Sequence, residues 1–108
     1  MMQTLLIKHA VSGRTFFDSR REDVSYLVEE SGDGWLFRIE HVQGDTAEAV
    51  NRFKAELNVF IFKEFEDEPV LKTWYYVQDG PVHYDEEQRE LCIYAGSKIE
   101  YYPHHYSQ

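Results

Sequence analysis

The side chains in this sequence with the clearest capacity for chemistry are carboxylates, and they fall into three clusters. Twenty acidic residues stand against eleven basic ones, which gives a formal net charge of -9 at pH 7. The clusters are Glu64, Glu66, Asp67 and Glu68 (cluster 64–68), Asp85, Glu86, Glu87 and Glu90 (cluster 85–90), and Glu29, Glu30 and Asp33 (cluster 29–33). Rows of closely spaced carboxylates imitate the phosphates that a cationic nucleic-acid groove holds. The clusters therefore predict a surface that binds a basic protein, and ordinary solvated acidic faces are the alternative interpretation.

The first two clusters are the predicted partner-binding residues, together with Tyr84, which adjoins cluster 85–90. Like charges within one helical turn of each other repel, so neither cluster brings an evident gain in folding stability. Tyrosine offers an interface a large apolar area with a polar tip, and the chain contains eight tyrosines. We therefore attribute the charge at 64–68 and 85–90 to recognition of a partner.

The remaining reactive side chains are isolated in the sequence. The chain lacks glycine-rich phosphate loops, paired cysteines and nucleophile elbows, which are local signatures of common catalytic and cofactor sites. His9 and His41 are interpreted as hydrogen-bonded sheet residues, because no sequence neighbour supplies a nucleophile or an orienting partner. The adjacent His104 and His105 would point to opposite sides of an extended chain, which disfavours a shared metal ion. We therefore predict no catalytic residue, no metal site and no cofactor.

Length and composition predict one domain in a reducing compartment. A chain of 108 residues can bury a core without a metal or a disulfide. Cys92 is the only cysteine, and neither a secretory signal nor an apolar run long enough to cross a bilayer is visible, so the expected location is the cytoplasm. The net negative charge disfavours binding to nucleic acid and anionic membranes. The domain should span residues 1–108, with 103–108 as a flexible C-terminal tail.

The central element of the predicted fold is a helix over 44–65. Asp45 as N-cap and Glu48 three residues later match a capping box. Behind them, apolar residues recur at helical steps and define a stripe that needs a sheet to cover it: Val50, Phe53, Leu57, Ile61 and Phe65. The β-branched and aromatic run 59–62 also fits a strand that begins just after Asn58, and this alternative stays open. We favour the continuous helix because the apolar stripe keeps its phase to the end.

Alternating apolar and polar residues predict strands in the rest of the chain. The clearest is a hairpin in which 24–29 and 35–40 flank the turn Ser31-Gly32-Asp33-Gly34. Its apolar face, which includes Trp35 and Phe37, is the expected partner of the helix stripe. Further strands are predicted at 4–11, 15–17, 70–77, 82–84, 91–95 and 99–102. The predicted fold is therefore α+β, a mainly antiparallel sheet of five or six strands with one long helix packed across one face.

Small size, strong acidity and the lack of catalytic motifs favour a non-enzymatic inhibitor of a basic, nucleic-acid-handling protein, acting as a nucleic-acid mimic. In these features the chain is similar in kind to phage anti-defence proteins such as anti-CRISPR proteins. The resemblance is one of overall character and not of any particular stretch. An immunity protein that neutralises a nuclease toxin is the close alternative, because the same electrostatics would block the same kind of cationic active site.

The aromatic residues support two further interpretations. An alternative of a different class is a small ligand-binding or enzymatic domain with an aromatic pocket and one histidine as its polar group. The pocket residues would be Trp35, Trp74, Tyr75 and Tyr94, with His9 or His41. The closing strand would leave an unpaired edge beside aromatic surface, which predicts a weak homodimer to which Tyr101, Tyr102 or the His104-His105 tail contributes.

Overall fold

Antiparallel β-strands dominate the computed structural model, which describes residues 2–21, 25–77 and 82–102. The chain forms β1 (Met2–His9), β2 (Thr15–Asp18), β3 (Tyr26–Ser31), β4 (Gly34–Ile39), α1 (Gly44–Arg52), β5 (Leu57–Glu64), β6 (Leu71–Val77), β7 (Val82–Asp85), β8 (Glu90–Ala95) and β9 (Ser97–Tyr101). A short 3₁₀ turn at Lys54–Glu56 connects α1 to β5. All the described strand pairs are antiparallel, so the predicted α+β class with antiparallel pairing is confirmed. The predicted tail 103–108, with His104 and His105, lies outside the described residues.

The strands form two sheets instead of one. The large sheet has the order β2-β1-β5-β6-β9, and the small sheet has the order β3-β4-β8-β7. The apolar sides of the two sheets face each other, and only Gly96 separates β8 in the small sheet from β9 in the large one. The prediction of a single sheet with a long helix across its face is wrong, because the small sheet covers the apolar face that the helix was expected to cover.

The helix α1 ends at Arg52, and the segment predicted as its second half forms β5 in the middle of the large sheet. The predicted helix to residue 65 is therefore wrong, and the alternative of a strand after Asn58 is close to the observed start. Leu57, Ile61 and Phe65 are four residues apart, an even spacing that fits the two-residue period of a strand as well as one helical turn. The segment forms a strand because β1 pairs with one edge of it and β6 with the other. β-Branched and aromatic side chains pack well in such a central strand.

The start of α1 also differs from the predicted capping box. Gln43 occupies the N-cap position, and its side chain makes no capping hydrogen bond. Asp45 lies in the first turn, where its charge complements the positive end of the helix dipole. Glu48 pairs with Arg52 one turn later, with 3.2 Å between Oε1 and Nη2. These acidic residues therefore support the helix through their charge and not as caps.

The core lies between the two sheets, and α1 closes it at one side. Its largest fully buried side chains come from both sheets and from the helix: Leu5, Ile7, Val59, Phe37, Ile39, Leu91, Ile93 and Val50. The predicted hairpin is present as β3 and β4, with Ser31 opposite Gly34. Its apolar face packs on the large sheet and not on the helix, since the ring of Phe37 lies edge-on to that of Tyr75 at a centroid distance of 4.8 Å. The helix packs instead against β2 and β7.

Asp18, at the end of β2, carries a buried carboxylate. Its side chain is 4% exposed and accepts hydrogen bonds from Arg20 Nε at 3.2 Å and from Arg20 Nη2 at 3.0 Å. Arg21 Nε approaches the same carboxylate at 3.8 Å. The hydrogen bonds from Arg20 lower the pKa of Asp18, although burial opposes this shift.

We expect Asp18 to make the stability of the fold depend on pH. Because its pKa is lower in the folded chain, the ion pair stabilises the fold above the ordinary aspartate pKa of about 3.9, and this contribution is lost as the pH falls towards the folded value. Asp18→Asn should therefore be less stable than the native chain at neutral pH, and the difference should shrink in acid. Urea unfolding across this range measures the effect, with the exposed Asp33→Asn as control. If the stability difference between the native chain and Asp18→Asn does not change with pH, the lowered pKa of Asp18 does not contribute to stability as described.

Candidate partner-binding surface

Cluster 64–68 lies at one end of the large sheet, in the connection from β5 to β6. Glu64 is the last residue of β5, and the other three members are exposed loop residues. Asp67 adopts a left-handed backbone conformation with φ of 61°, which aspartate tolerates better than most residues. The pKa of Arg20 is raised mainly by its hydrogen bond to Asp18 and to a smaller extent by the negative charge of Glu64. The remaining carboxylates of this cluster have no ion pair within the described residues.

Cluster 85–90 occupies the turn between β7 and β8, and its members have two different roles. Asp85 accepts hydrogen bonds from the backbone N–H groups of Glu87 at 3.0 Å and of Gln88 at 3.1 Å, so its carboxylate shapes the turn. Glu90 lies 3.3 Å from Arg38 Nη1. Glu86 and Glu87 are exposed, and in the part of the chain that the structure describes no cation pairs with them. Glu86 and Glu87 are therefore the carboxylates of this turn that remain available to a partner.

Arg38 joins cluster 85–90 to cluster 29–33 on the outer face of the small sheet, the side turned away from the core. Its Nε donates to Glu29 Oε1 at 2.7 Å, and its Nη1 donates to Glu90 Oε1 at 3.3 Å. The three residues belong to the adjacent strands β3, β4 and β8. Two of the three acidic clusters thus meet on one face, whereas no hydrogen bond or ion pair among the described residues connects cluster 64–68 to them.

Cys92 lies on the same outer face and contributes no reactive thiol. Its side chain is half-buried, and its Sγ is 3.5 Å from Glu90 Oε1. Burial, and then the hydrogen bond to Glu90, raises the pKa of the thiol, so the nucleophilic thiolate is disfavoured at neutral pH.

Tyr84 has a structural role in addition to its predicted role in binding. The ring packs against the core, and the hydroxyl donates a hydrogen bond of 2.7 Å to the backbone carbonyl of Val42. This bond ties β7 to the segment before α1. The hydroxyl is therefore engaged within the fold, and its place in a partner interface stays a prediction.

The predicted aromatic pocket does not form, because the four aromatic side chains that would line it lie in three different places. Trp35 and Tyr75 meet between the sheets, with ring centroids 5.7 Å apart. Trp74 lies on the outer face of the large sheet, opposite Phe60, and Tyr94 lies on the outer face of the small sheet. His41, the second candidate polar group, is an exposed residue after β4. These side chains cannot converge on one ligand.

His9 has hydrogen-bond partners that its sequence neighbourhood did not reveal. Its Nδ1 lies 2.7 Å from Ser12 Oγ, and its Nε2 lies 2.7 Å from Glu56 Oε1. A serine, a histidine and a carboxylate in hydrogen-bond contact also occur in serine hydrolases. Such a hydrolase needs free N–H donors for an oxyanion, but the N–H of Gly13 donates to His9 O and that of Arg14 to Ser12 Oγ. The arrangement therefore holds the turn after β1 against the 3₁₀ turn and gives no support to catalysis.

The outer face of the large sheet carries a row of aromatic side chains that the sequence did not single out as a surface. The rings of Phe62, Phe60, Trp74 and Tyr76 follow one another at centroid distances of 6.2, 5.9 and 4.7 Å. Lys72 Nζ lies over the Phe60 ring at 4.3 Å. Cluster 64–68 begins at the end of β5, just after Phe62, so it adjoins the aromatic row, whereas the other two clusters belong to the small sheet.

Comparison with known protein families, with curated proteins and with solved structures finds no match to this chain. In the described ranges, no helix is long and apolar enough to cross a membrane. The same residues contain no group of three histidine, cysteine, aspartate or glutamate side chains placed to hold a metal ion.

Proposed function

We propose that this chain is a small non-enzymatic inhibitor that binds a basic, nucleic-acid-handling protein in place of its nucleic acid. One observation carries the proposal: five exposed carboxylates of the two predicted clusters form no ion pair within the described residues. These are Glu66, Asp67, Glu68, Glu86 and Glu87. Exposed carboxylates without an internal partner keep their full attraction for an external cation.

The distribution of the basic residues strengthens this attraction. Within the described residues, five of the eleven basic residues form ion pairs with the chain's own carboxylates: Arg20, Arg21, Arg38, Arg52 and Lys98. One of these pairs neutralises Glu90 of cluster 85–90, and none of them involves Glu66, Asp67, Glu68, Glu86 or Glu87. The excess negative charge is therefore concentrated where a partner can reach it, and such a field steers association with a cationic surface.

The proposed mechanism is competition for a cationic groove. Lysine and arginine side chains that bind phosphates would instead bind the carboxylates of the two clusters, so nucleic acid would be excluded from the same groove. An effector complex of a defence system and a nuclease toxin both contain such a groove. The identity of the partner would decide between an anti-CRISPR-like inhibitor and an immunity protein.

Isolation of the partner tests the proposal. We expect the tagged chain to retain a basic protein from a nuclease-treated lysate of its source organism, and we expect excess DNA or RNA to release that protein. The affinity of the purified complex should fall steeply as salt rises, because the screening length decreases from about 10 Å at 0.1 M to about 3 Å at 1 M. A partner whose affinity responds to neither salt nor nucleic acid would contradict the proposal and direct attention to the aromatic row.

A further inference from the structure

Each sheet ends in two edge strands, and three of these four edges are protected from pairing with another strand. β2 and β7 contain only four residues each, and α1 packs against both. β3 carries Glu29 and Glu30 in adjacent positions, and charged side chains on an edge oppose pairing with another acidic chain. The fourth edge is β9, which pairs with β6 on one side and with no described strand on the other.

The sequence of β9 is complementary to itself in the antiparallel direction. Lys98 and Glu100 flank Ile99, so two β9 strands paired about Ile99 place Lys98 of each copy opposite Glu100 of the other. Opposite charges at directly facing positions stabilise an antiparallel pair. Within one chain Lys98 Nζ already lies 3.0 Å from Glu100 Oε1, which shows that the two side chains reach the same region beside the strand.

Ile99 provides an apolar contact at the centre of the paired β9 strands. Its side chain is 45% exposed on the outer face of the large sheet, directly opposite Trp74 of β6. A shallow groove beside it is lined by Trp74, Ile99, Glu100 and Tyr101. In the paired arrangement each Ile99 would lie beside Ile99 of the other copy, on the same face as the aromatic row, and would lose most of its exposure to water.

We infer that the occupant of this edge is a second copy of the chain, bound through antiparallel β9–β9 pairing about Ile99. The two-fold axis passes between the two isoleucines, which makes the interface identical on both copies and closes the assembly at two chains. The two large sheets then form one continuous sheet of ten strands, and their aromatic rows share one outer face. The three remaining edges stay protected, so growth beyond the dimer is not supported.

Charge substitutions at Ile99 test both the dimer and its register. Analytical ultracentrifugation of the native chain from about 10 μM to about 1 mM should show a mass that rises towards the dimer. Ile99→Lys places two lysines opposite each other and Ile99→Glu places two glutamates there, so each variant alone should associate at least tenfold more weakly. An equimolar mixture of the two variants should regain association as a heterodimer, which native mass spectrometry distinguishes from either homodimer.

Leu27→Lys is the matched control, because Leu27 is also an exposed apolar residue on an edge strand, at 57% exposure, but in the small sheet. This variant should associate as the native chain does. The proposal is overturned if the native chain stays monomeric throughout the concentration range, if Ile99→Lys associates as well as the native chain, or if the mixture of the two Ile99 variants does not associate. Circular dichroism and thermal unfolding of each variant ensure that folded chains are compared.

Discussion

Phe37→Ala is expected to lower the free energy of unfolding by about 3–5 kcal/mol, because it leaves a large cavity between the two sheets. Phe37 is fully buried, and its ring packs edge-on against Tyr75 of the large sheet. The cavity cannot easily collapse, since β4 is held by β3 on one side and by β8 on the other. Urea unfolding measures the loss. It is a large share of the roughly 5–15 kcal/mol that stabilises an ordinary domain.

Phe53→Ala provides the matched control for this experiment. Phe53 follows α1 and is half-buried, and its ring packs beside His9 at 4.6 Å and Phe16 at 5.8 Å. Water can enter the space that its removal leaves, so the expected loss is smaller, about 1–2 kcal/mol. If Phe37→Ala costs less than Phe53→Ala, the core does not lie between the sheets as described.

Reversal of the charge in cluster 64–68 is expected to reduce partner binding by about 100-fold at low salt. The variant carries Glu66→Lys, Asp67→Asn and Glu68→Lys. Asparagine is chosen at Asp67 because the backbone there is left-handed, a conformation that asparagine tolerates. The fold should stay intact, since all three side chains are exposed and exposed substitutions usually change stability by less than about 0.5 kcal/mol each. Titration calorimetry against the isolated partner measures the affinity, and urea unfolding confirms the stability.

A control with the same change in formal charge distinguishes a local contact from an effect of net charge. Glu30→Lys, Asp33→Asn and Glu40→Lys alter exposed acidic residues outside clusters 64–68 and 85–90. This variant should keep most of the affinity, whereas Glu86→Lys with Glu87→Lys in the second cluster should lose it. Equal losses in the control and in the cluster 64–68 variant would mean that only the total charge matters, and the assigned surface would be wrong.

The sequence was most informative where a pattern is local. The hairpin of β3 and β4 was predictable because alternating residues flank a turn with two glycines, and Gly32 indeed has a positive φ of 60°. The length of the helix was not predictable from spacing alone. Leu57 and Ile61 satisfy the helical and the strand period together, and the choice depends on β1 and β6, which lie far away in the sequence.

The candidate site shows the same division between local and long-range information. The exposed carboxylates of cluster 64–68 were evident, because consecutive charges before a proline indicate a solvated loop. The bridge from Glu29 through Arg38 to Glu90 was not evident, because it exists only after β4 has paired with both β3 and β8. The contact of His9 with Glu56 likewise depends on the pairing of β1 with β5.

The pairing of β1 with β5 has a consequence for how the chain reaches its fold. Met2 pairs with Glu64, so β1 finds its main neighbour only after β2, β3, β4 and α1 have been synthesised. Until then β1 can pair only with the short β2, while the hairpin of β3 and β4 can form from contacts close in sequence. Topologies dominated by such distant contacts fold in milliseconds to seconds. On the ribosome, the apolar side of β1 therefore stays open to chaperones until β5 has emerged.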